Sequence, residues 1–255
     1  MILALHIGNT NITLGAVQGR EILFQARIRT DATKTSDEYA IDLQMLLAIH
    51  CVSRDQIEGA IIASVVPQVL NPVKTALKKL FGKPVMVVGP GIKTGLNIRI
   101  DNPAQTGADL VVSCVAALKM QKPPLIVIGM GTATTMMVLD ETGAMIGGSI
   151  SPGIRVSMDA LTQRAALLPG LQLDQPKRTI GRNTIECMRS GIMVGAAAMI
   201  DGLVSRMEEE LGAPAKAIAT GRIGQYVVPL CKTPIRYERD LVLQGLAAIY
   251  RENVR

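Results

Sequence analysis

The chain has no tryptophan, two phenylalanines and four tyrosines among its 255 residues. That excludes an aromatic core. The 48% of residues that are hydrophobic must pack as aliphatic side chains, with thirteen methionines as flexible filler. Cysteine is sparse: Cys51, Cys114, Cys187 and Cys231 stand far apart. Such spacing offers no paired metal-ligand signature and reads as reduced thiols in a cytoplasmic protein. No basic run is interleaved with aromatics, so nucleic acid is not the expected partner. The opening "MILALHIG" carries no basic segment before its apolar residues, which reads as the absence of a secretory leader. The longest lipid-like stretch, "GIMVGAAAMIDGLV", is interrupted by Asp201 and falls short of the ~20 apolar residues of a membrane span. It is expected to be a buried helix, and no membrane partner is expected.

Positive charge is in excess. The formal net charge is +6 and the isoelectric point about 9.3, a balance that favours anionic small ligands. The length suits one large domain or two modest ones. Strand-like runs occupy 2–7, 12–17 and 21–29. "TSDE" at 35–38 has the form of a capping box, and a helical pattern follows it. A strand at 60–66 ends at Pro67, a helix covers about 68–80, a strand 84–89 and a helix 107–119. "KPP" at 122–124 is a plausible boundary, so the expected domains are 1–121 and 122–255. Strands at 125–129, 135–140, 144–150 and 215–219 then alternate with helices at about 153–165, 183–211 and 240–252. Alternating strands and helices in both halves predict an α/β protein with layered sheets.

The two halves echo each other. In the first, an apolar strand runs through His6 into Gly8-Asn9-Thr10-Asn11 and a second strand. In the second, an apolar strand runs through Gly129 into Gly131-Thr132-Ala133-Thr134 and a second strand. A single Gly-Asn-Thr hairpin is usually only a turn. Two of them, each opening a half, suggest duplicated lobes whose loops grip phosphate through backbone N–H groups and hydroxyls.

The ordered stretches "IGNTN", "TSDEYA", "SVVP", "PGIKTGL", "DNPAQTGAD", "GTATT", "GGSISPGI", "IGRNT", "SGI" and "ATG" together resemble the type III pantothenate kinases over nearly the whole chain. The resemblance implies the actin-like ATPase superfold, with two ribonuclease-H-like lobes and a nucleotide cleft between them. It implies ATP-dependent phosphorylation of pantothenate to 4'-phosphopantothenate, the first step of coenzyme A biosynthesis, by a homodimer. It also implies Mg²⁺ or another divalent ion, and a monovalent cation, K⁺ or NH₄⁺. By the same resemblance Gly8, Asn9, Thr10, Asn11, Gly131 and Thr132 contact ATP. Gly107, Ala108, Asp109 and Thr184 lie at the substrate, with Asp109 as the base that takes the hydroxyl proton.

Three positions depart from the family pattern. His6 stands where the family has an aspartate, Leu110 where it has arginine, and Gly129 where an aspartate holds the monovalent cation. Imidazole is a poor Mg²⁺ ligand, so no protein-held metal is assigned. His6 either caps its strand or bonds to phosphate. Leu110 removes a charge-assisted hydrogen bond of the kind worth ~1.5–3 kcal/mol. The expectation is a pantothenate kinase, with weakened activity as one outcome of these departures. The alternatives are a pseudokinase that binds nucleotide or pantothenate in a regulatory role, or a kinase for another small hydroxylated substrate.

Overall fold

The computed structural model describes residues 1–254. These divide into two compact units: Met1–Leu96, Asn102–Ala116 and the chain from Leu241 onward in one, and Asn97–Asp101 with Ala117–Asp240 in the other. The last helix therefore belongs with the first unit rather than the second half, a placement that chain order alone does not reveal.

The first unit holds strands β1 (Ile2–Ile7), β2 (Asn11–Gln18), β3 (Glu21–Arg29), β4 (Gly59–Ser64) and β5 (Val85–Val87), in the order β3-β2-β1-β4-β5. β1 is antiparallel to β2 and parallel to β4. Alternation along β1 assigns its two faces. Leu3, Leu5 and Ile7 pack with residues of α1 (Ser36–Ile49) and α2 (Pro67–Phe81). Ile2 and Ala4 pack on the other face with Val112 and Val115 of α3 (Ala108–Met120) and with the C-terminal helix. His6 follows Ile2 and Ala4 in the two-residue period and so lies on this second face.

Local sequence accounts for the helix ends. At α1 the expected capping box is present: Thr35 Oγ1 accepts from the Glu38 N–H at 3.3 Å, and Glu38 Oε2 accepts from the Thr35 N–H at 2.8 Å. Pro67 sits in the first turn of α2, where its missing N–H costs nothing. Gly82 ends that helix in the left-handed region.

The second unit repeats the plan. Its strands are β6 (Leu125–Met130), β7 (Ala133–Leu139), β8 (Met145–Pro152), β9 (Lys216–Thr220) and β10 (Ile235–Tyr237), in the order β8-β7-β6-β9-β10. Read outward from β6, this matches the first sheet read outward from β1, with the same antiparallel and parallel pairings. The duplication suggested by the two hairpins is thus present at the level of whole sheets. β10 and the short α6 (Gly224–Val227) were not foreseen, because three and four residues are too few to show a period.

Helices α4 (Ile154–Arg164) and α5 (Thr184–Leu211) complete this unit, and α7 (Leu241–Val254) completes the first. The expectation of a buried helix needs correction at α5. Only one stripe, including Met193, Ala197, Ile200 and Val204, is buried, while Gly191, Gly195 and Ala198 are exposed. The helix runs 28 residues and is long and apolar enough to cross a membrane by length and composition, with 33% of its apolar window buried within the chain. The apolar run seen in the sequence is only its middle, and the polar residues beyond continue the same helix.

Candidate functional site

Within the first unit, the β1–β2 connection is pinned from several directions. The Gly8 N–H donates to the Asn11 carbonyl at 3.0 Å, closing the turn. Thr30 Oγ1 donates to the Gly8 carbonyl at 2.6 Å, and the Thr30 N–H donates to the Thr10 carbonyl at 3.1 Å. Asn9 and Thr10 are left exposed at the tip. The loop is therefore rigid at its base and polar at its tip, as a backbone cradle for an anion requires.

The same unit brings Asp109 to this loop. Asp109 lies in the first turn of α3, where the helix dipole favours a carboxylate. Its Oδ2 stands 3.9 Å from His6 Nε2. Gly107 makes room for it: a Cβ there would lie 2.6 Å from Asp109 Oδ1. Gly107 is thus a spatial requirement of the carboxylate's position. Ala108 packs against the apolar face of the sheet, and Leu110 is half-buried beside it. Thr106 Oγ1 and His6 Nε2 are both buried without a hydrogen-bond partner. Unsatisfied buried polar atoms are uncommon enough to call for a reason, and two of them flank the candidate base in sequence or in space.

Burial holds the His6 pKa below its ordinary value. The Asp109 charge opposes that shift, and the Arg27 charge adds to it. Arg27 is aligned with His6 across the sheet, because His6 pairs with Thr13 and Thr13 pairs with Arg27. A depressed histidine pKa has a definite consequence for stability. The folded form prefers the neutral ring, so its contribution is complete above the unfolded value of about 6.5 and is lost as pH falls through the lower folded value. Urea unfolding at pH 7.5 and pH 5 should therefore show an acid-side loss in the parent that is smaller in His6→Gln. The difference in slope between the two should not exceed about 1.4 kcal/mol per pH unit, the limit for one proton. Equal slopes would show that the burial of His6 carries no linkage.

The second unit builds its own loop. The Gly131 N–H donates to the Ala133 carbonyl at 2.9 Å, and the Gly153 N–H to the Thr132 carbonyl at 3.0 Å. Two glycines close around the end of β6. A Cβ on Gly153 would lie 2.3 Å from the Thr132 carbonyl oxygen, and one on Gly221 would lie 2.2 Å from the Met130 carbonyl oxygen. Gly221 also has φ +98. The motifs "SPGI" and "ATG" thus each supply a glycine at the base of the β6–β7 loop. Neither glycine is marked in the sequence as part of this loop, because the contacts are between backbones of segments far apart in the chain. Thr184 opens α5 apart from this loop in the chain. Its neighbours Asn183 and Ile185 line a pocket of about 220 Å³ with Lys177, Arg178 and Arg189. Arg222 follows Gly221 and is exposed.

Neither His6 nor Gly129 itself supplies a cation with an anionic oxygen. Position 6 presents an imidazole, and Asp109 is the one carboxylate paired with it. At Gly129 a Cβ would lie 2.7 Å from Thr135 Oγ1, so the cross-strand threonine fills the place a side chain would take. Among the described residues no three of His, Cys, Asp and Glu stand close enough together to hold a metal ion. The donor sets at both places therefore do not fit a protein-held Mg²⁺ or a carboxylate-held K⁺.

Comparison with known proteins agrees with the resemblance. A curated relative from Exiguobacterium sp., named type III pantothenate kinase, is 44% identical over 253 residues, covering 99% of each chain. Another of the same name from Moorella thermoacetica is 40% identical, covering 99% of this chain and all of the relative. Among solved structures, the activator of the 2-hydroxyisocaproyl-CoA dehydratase from Clostridium difficile with bound ADPNP superposes with a TM-score of 0.58 at 13% identity. It covers 98% of this chain and 93% of its own. That likeness speaks to fold alone, and both units here have the sheets of the actin-like ATPase and sugar-kinase superfold. The family description "Type III pantothenate kinase" matches residues 2–206, and the chain belongs to that family.

Proposed function

We propose that this protein transfers the γ-phosphoryl group of ATP to the primary hydroxyl of pantothenate, giving 4'-phosphopantothenate at the entry to coenzyme A biosynthesis. The observation that carries the reading is Asp109. Its carboxylate is held at a helix start, with room made by Gly107, beside the Gly8–Asn11 loop. Phosphoryl transfer asks the protein mainly for positioning and charge stabilisation. Asp109 takes the hydroxyl proton. Gly8, Asn9, Thr10, Asn11, Gly131 and Thr132 bind phosphate oxygens through N–H groups and hydroxyls. Gly107, Ala108 and Thr184 contact the substrate.

A divalent ion, when bound to the phosphates, neutralises charge on the transferring group. We infer that Mg²⁺ arrives with ATP, held by phosphate and water, because position 6 supplies no hard oxygen ligand. By the same reasoning K⁺ and NH₄⁺ should change the rate little, Gly129 having no carboxylate to hold them. ADP release by the purified protein tests the reading, with and without pantothenate, Mg²⁺, Mn²⁺, K⁺ and NH₄⁺. Pantothenate-dependent release supports it. ATP binding without turnover would point instead to a nucleotide-binding partner of an active kinase.

The proposed assembly is a cytoplasmic homodimer. A groove of about 400 Å³ between α4 and α5 is lined by Leu161, Gly191, Ile192, Gly195, Ala196 and Met199 among others. Small residues of that kind allow close helix approach. Sedimentation at micromolar concentration should give twice the 27.2 kDa chain mass, and a monomer there would remove the dimer from the account.

A further inference from the structure

We propose that His6 and Asp109 act as one proton-holding pair, in which Asp109 takes the hydroxyl proton during transfer and passes it to His6 Nε2. The proposal rests on the kinase reading above and adds a positioning residue to it. Its basis is geometric. His6 ends the face of β1 that α3 covers, and the first turn of α3 carries Asp109. Nε2 is buried, has no hydrogen-bond partner and lies 3.9 Å from Asp109 Oδ2. A rotation that closes this gap by about 1 Å makes a normal hydrogen bond. Small residues leave both groups room to move. A Cβ on Gly8 would meet His6 Cε1 at 3.4 Å, and one on Gly107 would meet Asp109 Oδ1 at 2.6 Å.

The chemistry balances. The substrate oxygen forms its bond to the γ-phosphorus as the bond from phosphorus to the ADP oxygen breaks, and that electron pair leaves on ADP. The substrate proton moves to an Asp109 carboxylate oxygen and then to the imidazole nitrogen, and after product leaves it returns to solvent through the partly exposed Asp109 carboxylate. Imidazole is the stronger base of the two group types by about two pH units in water; at His6 burial works against the protonated ring and the Asp109 charge works for it. The charged groups that act on the ring are Asp109 from α3 and Arg27 from β3. Arg27 and burial keep His6 neutral at rest, ready to accept. Asp109, ionised again after the move, stabilises the imidazolium it has formed. The pair thus handles the proton without a cation between two carboxylates.

The chain has two histidines, so both ring signals can be followed by NMR. In Asp109→Asn the His6 titration should move to lower pH. In His6→Gln, kcat should fall at least about tenfold, with KM for both substrates within about twofold, and the acidic limb of the kcat profile should shift. His6→Asn should behave likewise, which separates lost proton handling from a packing defect peculiar to Gln. A His6 titration indifferent to Asp109→Asn overturns the pair, as does a His6→Gln enzyme with the parent's kcat and pH profile. If the parent releases no ADP with pantothenate, the substrate reading fails. A His6 titration that follows Asp109 would in that case still support the pair as the unit that holds the proton.

Discussion

Asp109→Asn should lower turnover at least about 100-fold, the usual minimum for losing a general base, while ATP affinity stays within about twofold. Asparagine keeps the shape of the side chain that sits against Gly107, so the local packing survives. It cannot accept the hydroxyl proton. Its other cost is the loss of a negative charge at the start of α3, worth about 0.3–1 kcal/mol of stability, too little to unfold the protein. Single-turnover rates with excess enzyme isolate the chemical step, and titration calorimetry gives ATP affinity separately. A variant that turns over at the parent's rate would take Asp109 out of the mechanism and, with it, the central support for the kinase reading.

How much of this was legible in the sequence depends on the range of each interaction. The Thr35 cap, the start of α2 at Pro67 and the turn at Gly8 are local, and the residues that make them stand within a few positions of one another. The two hairpins were visible as an echo because each is a short pattern of apolar, glycine and hydroxyl residues. Whole-sheet duplication then followed from the fold class. Contacts between distant segments left no such trace. His6 and Asp109 are separated by most of the first unit, and only the alternation of β1 with α3 laid across its face brings them together. His6 looked like an isolated substitution; in the structure it is one side of a pair.

Gly129 shows the converse. In sequence it reads as a missing carboxylate that one substitution would restore. In the sheet, Thr135 pairs with it and its hydroxyl stands 2.7 Å from the position of the absent Cβ. Gly129→Asp alone therefore meets a β-branched neighbour with few rotamers to retreat into, and a carboxylate there needs Thr135 to change with it. The C-terminal helix joins a unit distant in chain order, and β10 is too short to show a period.

Gly221→Ala should be the most damaging of the small substitutions, because two separate costs fall on one methyl group. The first is conformational. At φ +98 an L side chain is strained, by about 1 kcal/mol or more. The second is steric: the new Cβ would lie 2.2 Å from the Met130 carbonyl oxygen and 2.8 Å from its carbon. Those atoms are backbone at the end of β6, held by pairing to β7 and β9, so they cannot swing aside as a flexible side chain would. Overpacking of this kind costs about 1–3 kcal/mol, and the sum is about 2–4 kcal/mol. Gly212→Ala supplies the control. Gly212 has φ +69 at the end of α5 with no atom within 4 Å of its missing Cβ, so it bears the conformational cost alone, about 1 kcal/mol. The function should separate in the same way. Relief of the clash at Gly221 must displace the strand end that carries Gly131, and ATP affinity should fall at least tenfold, equivalent to about 1.4 kcal/mol. At Gly212 it should not change. Urea unfolding and ATP titration on the two variants check both halves. Equal stability losses would mean that the β6 terminus yields easily, and an unchanged ATP affinity in Gly221→Ala would mean that the Gly131 loop does not bind the nucleotide.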